Sequence, residues 1–303
     1  MQHPSTLPSI PAIDAVVLKL CQQTSLHNVW LPINSTAQMP SISVLAEIMQ
    51  RLRAIVFPGY FGSSVSHRSV QYHLSANLDS VYHLLRDQIE RSFIFLHAME
   101  HNETPSDYRE QADSSATALI SQLPEIRDLL ASDAQAAYEG DPAAISPGET
   151  IFCYPSLYAM VHHRISHVLY TQKIPLLPRI IQEMAHSHTG IDIHPGASIG
   201  SHFFIDHGTG VVIGETSIIG EHCQLYQGVT LGALSFPKNE DGTLTKGIAR
   251  HPILGNNVTV YAGATILGRI HIGDHAVIGG NVWVTEDVPP HTHVIQGKSS
   301  KKC

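Results

Sequence analysis

The sequence predicts an α+β fold in which a helical N-terminal half precedes a left-handed parallel β-helix. Apolar residues recur every three or four positions up to about residue 190, which is the period of one face of an α-helix. Beyond residue 190 an aliphatic residue recurs every six positions, which is the period of a β-helix built from hexapeptide repeats. We therefore expect a helical domain over 1-189, a β-helix over 190-290 with an excursion loop at 233-251, and a short tail over 291-303.

The helical period is clearest in three stretches of the N-terminal half. One face of a predicted helix carries Leu74, Leu78, Val81, Leu85 and Ile89. The stretches 105-137 and 156-170 repeat the same spacing. Such faces predict a helical bundle and say nothing about activity.

The six-residue period defines the second half. The aliphatic residues that follow it are Ile193, Ile199, Ile205, Ile213, Ile219, Leu225, Leu231, Leu254, Val260, Ile266, Ile272, Ile278 and Val284. In a β-helix these side chains point inward, and stacked coils bury them as one column. Because three hexads make one triangular coil, the pattern predicts roughly four to five coils. A solenoid core indicates a fold but not a chemistry.

The composition narrows the class of protein. A formal net charge of −8 over 303 residues is unlike a dedicated nucleic-acid binder, which normally shows a basic face. The four cysteines stand far apart, as in a reduced cytosolic protein, and the first residues have no signal-peptide pattern. No apolar run approaches the roughly 18 residues of a membrane helix. We expect a cytoplasmic protein with neither nucleic-acid nor membrane partners.

The first break in the repeat is a candidate catalytic site. Two extra residues follow Ile205, in the segment Asp206-His207-Gly208-Thr209-Gly210. Asp192 precedes His207 by 15 residues, a little less than one coil of roughly 18 residues, so the two can meet across stacked coils. An imidazole that an acid holds in one tautomer can serve as a general base.

The second break is the excursion loop at 233-251. Pro237, Asn239 and Asp241-Gly242 are turn-forming residues, which predicts a loop rather than another coil. The loop ends in Arg250-His251, which brings a fixed cation and a titratable ring to the edge of a coil. Loops that project from a rigid scaffold often carry function.

Together these segments resemble the bacterial-type serine acetyltransferases, a group of the hexapeptide-repeat acyltransferases. The stretch DIHPGASIGSHFFIDHGTGVVIGET carries the resemblance, followed by VTLGA, RHP and VYAGATILG. The length of the loop resembles that of a long-loop subgroup. The resemblance implies an enzyme of cysteine biosynthesis that transfers acetyl from acetyl-CoA to the hydroxyl of L-serine, giving O-acetyl-L-serine and CoA.

The resemblance also implies a role for each candidate residue. His207 matches the general base, and Asp192 matches the acid that orients it. The residues that match serine contacts are Asp141, Asp206, Arg250 and His251. The small residues that match the acetyl-CoA groove between subunits are Gly232, Ala233, Ala262, Gly263 and Gly280. Acetyl-CoA is implied as a co-substrate, with neither a permanently bound cofactor nor a metal.

The implied partners follow from the same resemblance. The family's site is shared between chains, which implies a homotrimer or a dimer of trimers, and L-cysteine is implied as a feedback inhibitor. Many members end in an isoleucine that enters cysteine synthase. This chain ends in Cys303, so we do not expect that complex through the tail.

Three alternatives remain open at this point. The 21 histidines invite a metal hypothesis, and His202 and His207 have the HxxxxH spacing of γ-carbonic-anhydrase-like zinc enzymes on the same fold. Arg250-His251 on a long loop has no role in such an enzyme. A hexapeptide acetyltransferase with another acceptor, such as a sugar or homoserine, is a second alternative. A catalytically inactive scaffold is a third.

Overall fold

A computed structural model describes residues 11–22, 38–62, 66, 68–101 and 107–296. Within these ranges no helix is both long enough and apolar enough to cross a membrane. The helices are α1 (Pro11–Leu20), α2 (Ile42–Val56), α3 (Val70–His101), α4 (Arg109–Ser121), α5 (Leu123–Gly140), α6 (Pro147–Cys153), α7 (Pro155–Thr171) and α8 (Leu177–Thr189).

The helical half follows the apolar period with one interruption. Val81, Leu85 and Ile89 on the predicted face of α3 are completely buried. The stretch 105-137 is divided between α4 and α5, because the chain turns at Gln122 and a proline occupies the first turn of α5. Proline is favoured there, where its missing N–H costs no hydrogen bond.

Short strands follow the helices. They are β1 (Asp192–Ile193), β2 (Ser198–Ile199), β3 (Phe204–Ile205), β4 (Val212–Ile213), β5 (Ile218–Ile219), β6 (Gln224–Leu225), β7 (Thr230–Gly232), β8 (Ile253–Leu254), β9 (Thr259–Val260), β10 (Thr265–Leu267), β11 (His271–Ile272), β12 (Val277–Ile278), β13 (Trp283–Val284) and β14 (His293–Val294). They form three parallel sheets, in the orders β1-β4-β7-β10-β13, β11-β8-β5-β2 and β14-β12-β9-β6-β3. We call these the first, second and third sheets. The predicted β-helix of hexapeptide repeats is confirmed.

The core of the β-helix is the predicted aliphatic column. Every hexad position lies in a strand and is buried. Burying a side chain of this size contributes about 1.5–3 kcal/mol, so the column is the main source of stability in this half. Its inward positions stack because each coil returns to the same register one turn later.

The register shows where the regular coil is broken. Val212 pairs with Thr230, 18 residues later, and Thr265 pairs with Trp283 at the same interval. Asp192 pairs with Val212, 20 residues later, which places the two-residue insertion in the first coil. Thr230 pairs with Thr265 because the excursion loop leaves the helix between them.

The C-terminal end differs from the expected tail. Residues 293 and 294 form β14, which pairs with β12 and so extends the third sheet beyond residue 290. The hexad period does not reveal this strand, because Pro289 and Pro290 interrupt the repeat after Val284. Residues 297–303, on which the expectation about cysteine synthase depends, lie outside the described residues.

A buried ion pair joins the helices to the first coil. The Arg164 guanidinium of α7 donates through Nε and Nη2 to both carboxylate oxygens of Asp133 of α5, each at 2.8 Å. The two side chains are 5% and 0% exposed. Arg164 also donates to the carbonyls of Ile199 and Gly200, and Asp133 accepts from the backbone N–H of Phe203. One bidentate pair thus ties two helices to the end of β2 and the start of β3.

Replacement of this arginine should destabilise the protein strongly. We expect Arg164→Ala to lower the free energy of unfolding by about 3–5 kcal/mol, because it leaves the Asp133 carboxylate buried without its partner. Urea unfolding at one fixed protomer concentration measures the change. The control is Arg51→Ala, which removes a pair with Glu47 whose side chains are 36% and 45% exposed and should change stability by about 1 kcal/mol or less. Equal losses in the two variants would contradict this account.

Candidate active site

The predicted site residues lie at two corners of the triangular coil. The His207 corner joins the third sheet to the first and comprises residues 206–211, 226–229, 261–264 and 279–282. The Arg250 corner joins the first sheet to the second and comprises residues 194–197, 214–217, 233–252 and 268–270. The insertion in the first coil belongs to the His207 corner, and the excursion loop belongs to the Arg250 corner.

The insertion moves His207 out of the coil. Its backbone φ is +56° and its side chain is 71% exposed, with Nε2 3.8 Å from Oδ2 of Asp206. Gly208 follows at φ +89°, and a Cβ there would lie 2.5 Å from Cδ1 of Ile191, so the turn requires glycine. The imidazole is therefore presented to solvent beside a carboxylate.

Asp192 lies on β1, in the first sheet. Its backbone N–H donates to the carbonyl of Val211 at 2.9 Å, which keeps it in the first sheet. Among the described residues Asp192 and His207 share neither a hydrogen bond nor an ion pair, and the ion pair of His207 is made with Asp206. The role of Asp192 in orienting His207 stays a prediction.

Helix α5 brings Asp141 to the same corner. Gly140, its last residue, packs on Phe204 of β3 so closely that a Cβ would lie 2.7 Å from the ring. Oδ2 of Asp141 accepts a hydrogen bond of 2.5 Å from the Tyr154 hydroxyl, and Oδ1 accepts one of 2.8 Å from the backbone N–H of Ala143. These bonds, with a smaller contribution from the charge of His207, lower the pKa of Asp141. Asp141, Asp206 and His207 thus form one cluster.

Two tyrosines that the sequence reasoning missed lie beside this cluster. Tyr226 and Tyr261 stack with ring centroids 5.1 Å apart, and the Gln224 amide donates to the Tyr226 hydroxyl at 3.1 Å. Burial, followed by the charges of Tyr261, Asp206 and Asp141, raises the pKa of Tyr226. The hexad pattern of the sequence could have indicated both tyrosines, because each directly follows a hexad aliphatic residue, as Asp206 does.

Arg250 is held at the other corner by a residue that the sequence reasoning also missed. Nη2 of Arg250 donates to Oε2 of Glu215 at 2.8 Å, and the Tyr170 hydroxyl of α7 donates to Oε1 at 2.9 Å. Partial burial tends to raise the pKa of Glu215, but the bonds from Tyr170 and Arg250 outweigh it and lower the pKa. Because 35 residues separate Glu215 from Arg250, no local pattern could have indicated the pair.

His251 is buried beside Arg250 in a defined tautomer. Its Nδ1 accepts from the backbone N–H of Thr216 at 3.0 Å, and its ring lies so close to Gly214 that a Cβ there would overlap it. Burial, and after it the charge of Arg250, lowers the pKa of His251 to about 4. The ring is therefore neutral near pH 7, and the bond to Nδ1 assigns its proton to Nε2.

One chain does not bring the whole predicted site together. At about 3.3 Å per extended residue, the five steps from residue 210 to residue 215 between the two corners span about 17 Å, more than a free amino acid can bridge. The predicted acetyl-CoA positions are divided in the same way. Ala262, Gly263 and Gly280 lie at the His207 corner, whereas Gly232 and Ala233 lie at the end of β7 and the start of the Arg250 corner. Each corner holds half of the candidate site.

The histidines of the metal hypothesis lie apart. His202 is at the third corner, between the second and third sheets, where it stacks on His222 with ring centroids 4.2 Å apart. Over the described ranges no three histidine, cysteine, aspartate or glutamate side chains are arranged to hold a metal ion. His202, His222, His275 and His291 all have φ between +54° and +59°. Histidine is enriched in this left-handed region, which accounts for part of the high histidine count.

The pKa of His251 predicts a pH dependence of stability. Its folded-state pKa of about 4 lies below the ordinary value of 6.5, so the unfolded chain binds a proton that the folded chain does not. The free energy of unfolding should therefore fall as the pH drops from 6.5 towards 4. His251→Asn should flatten this slope in urea titrations, while His162, whose burial also lowers its pKa to about 4, contributes a slope that both proteins share. Identical slopes would contradict the prediction.

The comparisons agree with this architecture. Residues 251–286 match the family model described as bacterial transferase hexapeptide (six repeats). A plasmid-encoded serine acetyltransferase of Synechococcus elongatus is 48% identical over 263 residues, which cover 86% of this chain and 82% of that protein. The serine acetyltransferase of Mycobacterium tuberculosis is 46% identical, over 54% of this chain and 67% of that protein.

Solved structures extend the similarity over the helices. Serine acetyltransferase 1 of Entamoeba histolytica, in complex with L-cysteine, superposes with a TM-score of 0.71 at 37% identity, over 94% of this chain and 96% of that chain. Soybean serine acetyltransferase complexed with serine gives a TM-score of 0.54 at 28% identity, over 86% and 98% of the two chains. Sequence and structure thus agree over most of the length, and the chain belongs to the serine acetyltransferase family.

Proposed function

We propose that this serine O-acetyltransferase uses a site assembled from the His207 corner of one chain and the Arg250 corner of another. The supporting observation is the division of charge between the corners. Asp141 and Asp206 supply anions for the ammonium group of serine, and Arg250 supplies a cation for its carboxylate. A zwitterionic amino acid matches this arrangement better than a neutral sugar does.

His207 is the proposed general base of the reaction. Its exposed imidazole takes the proton of the serine hydroxyl while the oxygen attacks the thioester carbonyl carbon of acetyl-CoA. The tetrahedral intermediate then collapses, the C–S bond breaks, and the proton passes from His207 to the CoA thiolate. Asp192 and Asp206 stabilise the imidazolium that forms between the two steps. No acyl-enzyme is required.

His251 suits the substrate-binding side of the site. Its neutral ring presents Nε2–H as a fixed donor, because Nδ1 is occupied by Thr216. The donor lies next to Arg250, where it can bind a carboxylate or carbonyl oxygen of the substrate. The bond between Arg250 and Glu215 holds the guanidinium at this corner.

We propose that a closed trimer completes the site. Each chain offers two different half-sites, and a three-fold ring pairs every His207 corner with a neighbouring Arg250 corner. The groove between chains would hold acetyl-CoA as a co-substrate. Its proposed contacts are the small residues Gly232, Ala233, Ala262, Gly263 and Gly280. Gly263, at φ +70°, packs so close to Asn281 that a side chain there would overlap it, which favours glycine at this position.

The same half-sites should bind L-cysteine. Cysteine differs from serine only in a thiol for a hydroxyl, so Asp141, Asp206 and Arg250 can hold either amino acid, and inhibition should be competitive with serine. Bound L-cysteine in the Entamoeba histolytica relative supports this. We propose a cytoplasmic enzyme of cysteine biosynthesis in which helical residues 1-189 supply Asp141 and β-helix residues 190-290 supply the other charged groups.

Removal of the base should abolish most of the turnover. We expect His207→Ala to lower kcat by about 10² to 10⁴, the usual contribution of a positioned base. Thiol release from acetyl-CoA with L-serine as acceptor measures it, with homoserine and a sugar as comparison acceptors. The matched control is His271→Ala, which removes a histidine that is 64% exposed and lies 3.9 Å from Asp287. A His207→Ala enzyme as fast as this control would exclude His207 as the base.

Mixed trimers test the shared site directly. His207→Ala and Arg250→Ala should each be nearly inactive alone. After co-refolding in equal amounts, about one quarter of the sites combine an intact His207 corner with an intact Arg250 corner, so about a quarter of wild-type activity should return. A mixture of His207→Ala with Asp206→Asn, both at one corner, should gain nothing over its components. Failure of the first mixture to regain activity would show that each chain forms its own site.

A further inference from the structure

We propose that Tyr154 is a positioning residue of the amino-acid site, which holds the Asp141 carboxylate in place for the ammonium group of the substrate. The inference rests on the proposed function, in which Asp141 is a substrate contact. Tyr154 follows Asp141 by 13 residues in the chain. Its hydroxyl donates a hydrogen bond to the Asp141 carboxylate at the His207 corner. The tyrosine acts on the substrate through the carboxylate.

The backbone at both residues is constrained by a following proline. Asp141 caps the C-terminus of α5 at φ −113° and ψ 108° and precedes Pro142. Tyr154 lies between α6 and α7 at φ −79° and ψ 129° and precedes Pro155. A residue before proline is restricted to extended conformations, so Asp141 cannot continue α5 and Tyr154 cannot continue α6. The backbone thus fixes the direction of each Cα–Cβ bond, and the two side chains meet in a hydrogen bond.

The hydrogen bonds leave the carboxylate ready for a ligand. Tyr154 donates to Oδ2 at 2.5 Å, and the backbone N–H of Ala143 donates to Oδ1 at 2.8 Å. The 2.5 Å distance is typical of a hydroxyl that donates to a charged carboxylate. Each oxygen accepts one of these bonds and keeps acceptor capacity for an ammonium group. The carboxylate is thus oriented without being saturated.

The surrounding charges favour the protonated form of the hydroxyl. Asp206 lies close enough to contribute to the electrostatics of Tyr154, and its charge, like that of Asp141, raises the pKa of the tyrosine. The Tyr154 bond is the largest cause that lowers the pKa of Asp141, and the same bond raises the pKa of Tyr154, which stays a donor.

The rest of the tyrosine belongs to the core. Its partly buried ring packs against the core cluster, and its backbone N–H donates to the carbonyl of Thr150 at 3.1 Å. Phenylalanine can keep both features and loses only the hydroxyl. Tyr154→Phe therefore separates the positioning role from packing.

The experiment compares Tyr154→Phe with the wild-type enzyme. We expect the dissociation constant of L-serine, measured by titration calorimetry, and its KM each to rise about tenfold, as for loss of a hydrogen bond to a charged group. The KM for acetyl-CoA, kcat and the thermal midpoint should stay within about twofold or a few degrees of wild type. Serine affinity should also begin to fall at a higher pH than in the wild type as the medium is acidified, because the pKa of Asp141 is no longer lowered by Tyr154.

A second tyrosine provides a matched control. The Tyr82 hydroxyl donates to Oδ1 of Asp113 at 2.8 Å, between α3 and α4 and away from both corners. Tyr82→Phe removes the same chemical bond and should leave serine affinity unchanged. In an Asp141→Asn background, Tyr154→Phe should weaken serine binding no further, since its effect passes through that carboxylate.

Two results would overturn the inference. One is a Tyr154→Phe enzyme that binds serine as the wild type does and with the same pH dependence. The other is a uniform loss of serine affinity, acetyl-CoA affinity and thermal stability, which would make Tyr154 a structural residue. Failure of the proposed function would look different, because the wild-type enzyme would then neither bind nor acetylate serine, and the inference would fall with it.

Discussion

The placement of the site depends on the buried ion pair between Arg164 and Asp133. Its hydrogen bonds reach the carbonyls that end β2 and the amide that starts β3, so helix α5 has one position relative to the first coil. Asp133 and Asp141 stand eight residues apart, about 12 Å along α5. An interaction remote from the substrate thus decides where Asp141 lies, and the contact of Gly140 with Phe204 completes that placement.

A regular β-helix offers few places for chemistry, because its sides are occupied by the ladder and its interior by aliphatic residues. This chain departs from regularity at two corners. Two extra residues turn His207 outward, and the long loop returns to the coil at Arg250 and His251. The departures lie about 17 Å apart across one face of the coil. The proposed division of the site between chains follows from this geometry, since a prism cannot bring two of its own corners together.

The electrostatics of the two corners are complementary. At one corner hydrogen bonds from Tyr154 and Ala143 favour the charged form of Asp141. At the other, burial keeps His251 neutral while Arg250 carries a permanent charge. Each group is thus in the protonation state that the proposed binding of a zwitterion requires. Preorganisation of this kind lowers the reorganisation that binding and catalysis would otherwise need.

The sequence by itself determined the β-helix, the hexad core and the two interruptions, because a six-residue period identifies the side chains that face inward. The same period identified Asp206-His207 and Arg250-His251 as exceptions. Only the tertiary structure decided that Tyr154 meets Asp141, that Glu215 holds Arg250, and that the stretch 105-137 bends. It also separated the two corners and added β14. Periodicity reports the face that a residue occupies, whereas these contacts join residues far apart in sequence, and packing of the whole chain selects such partners.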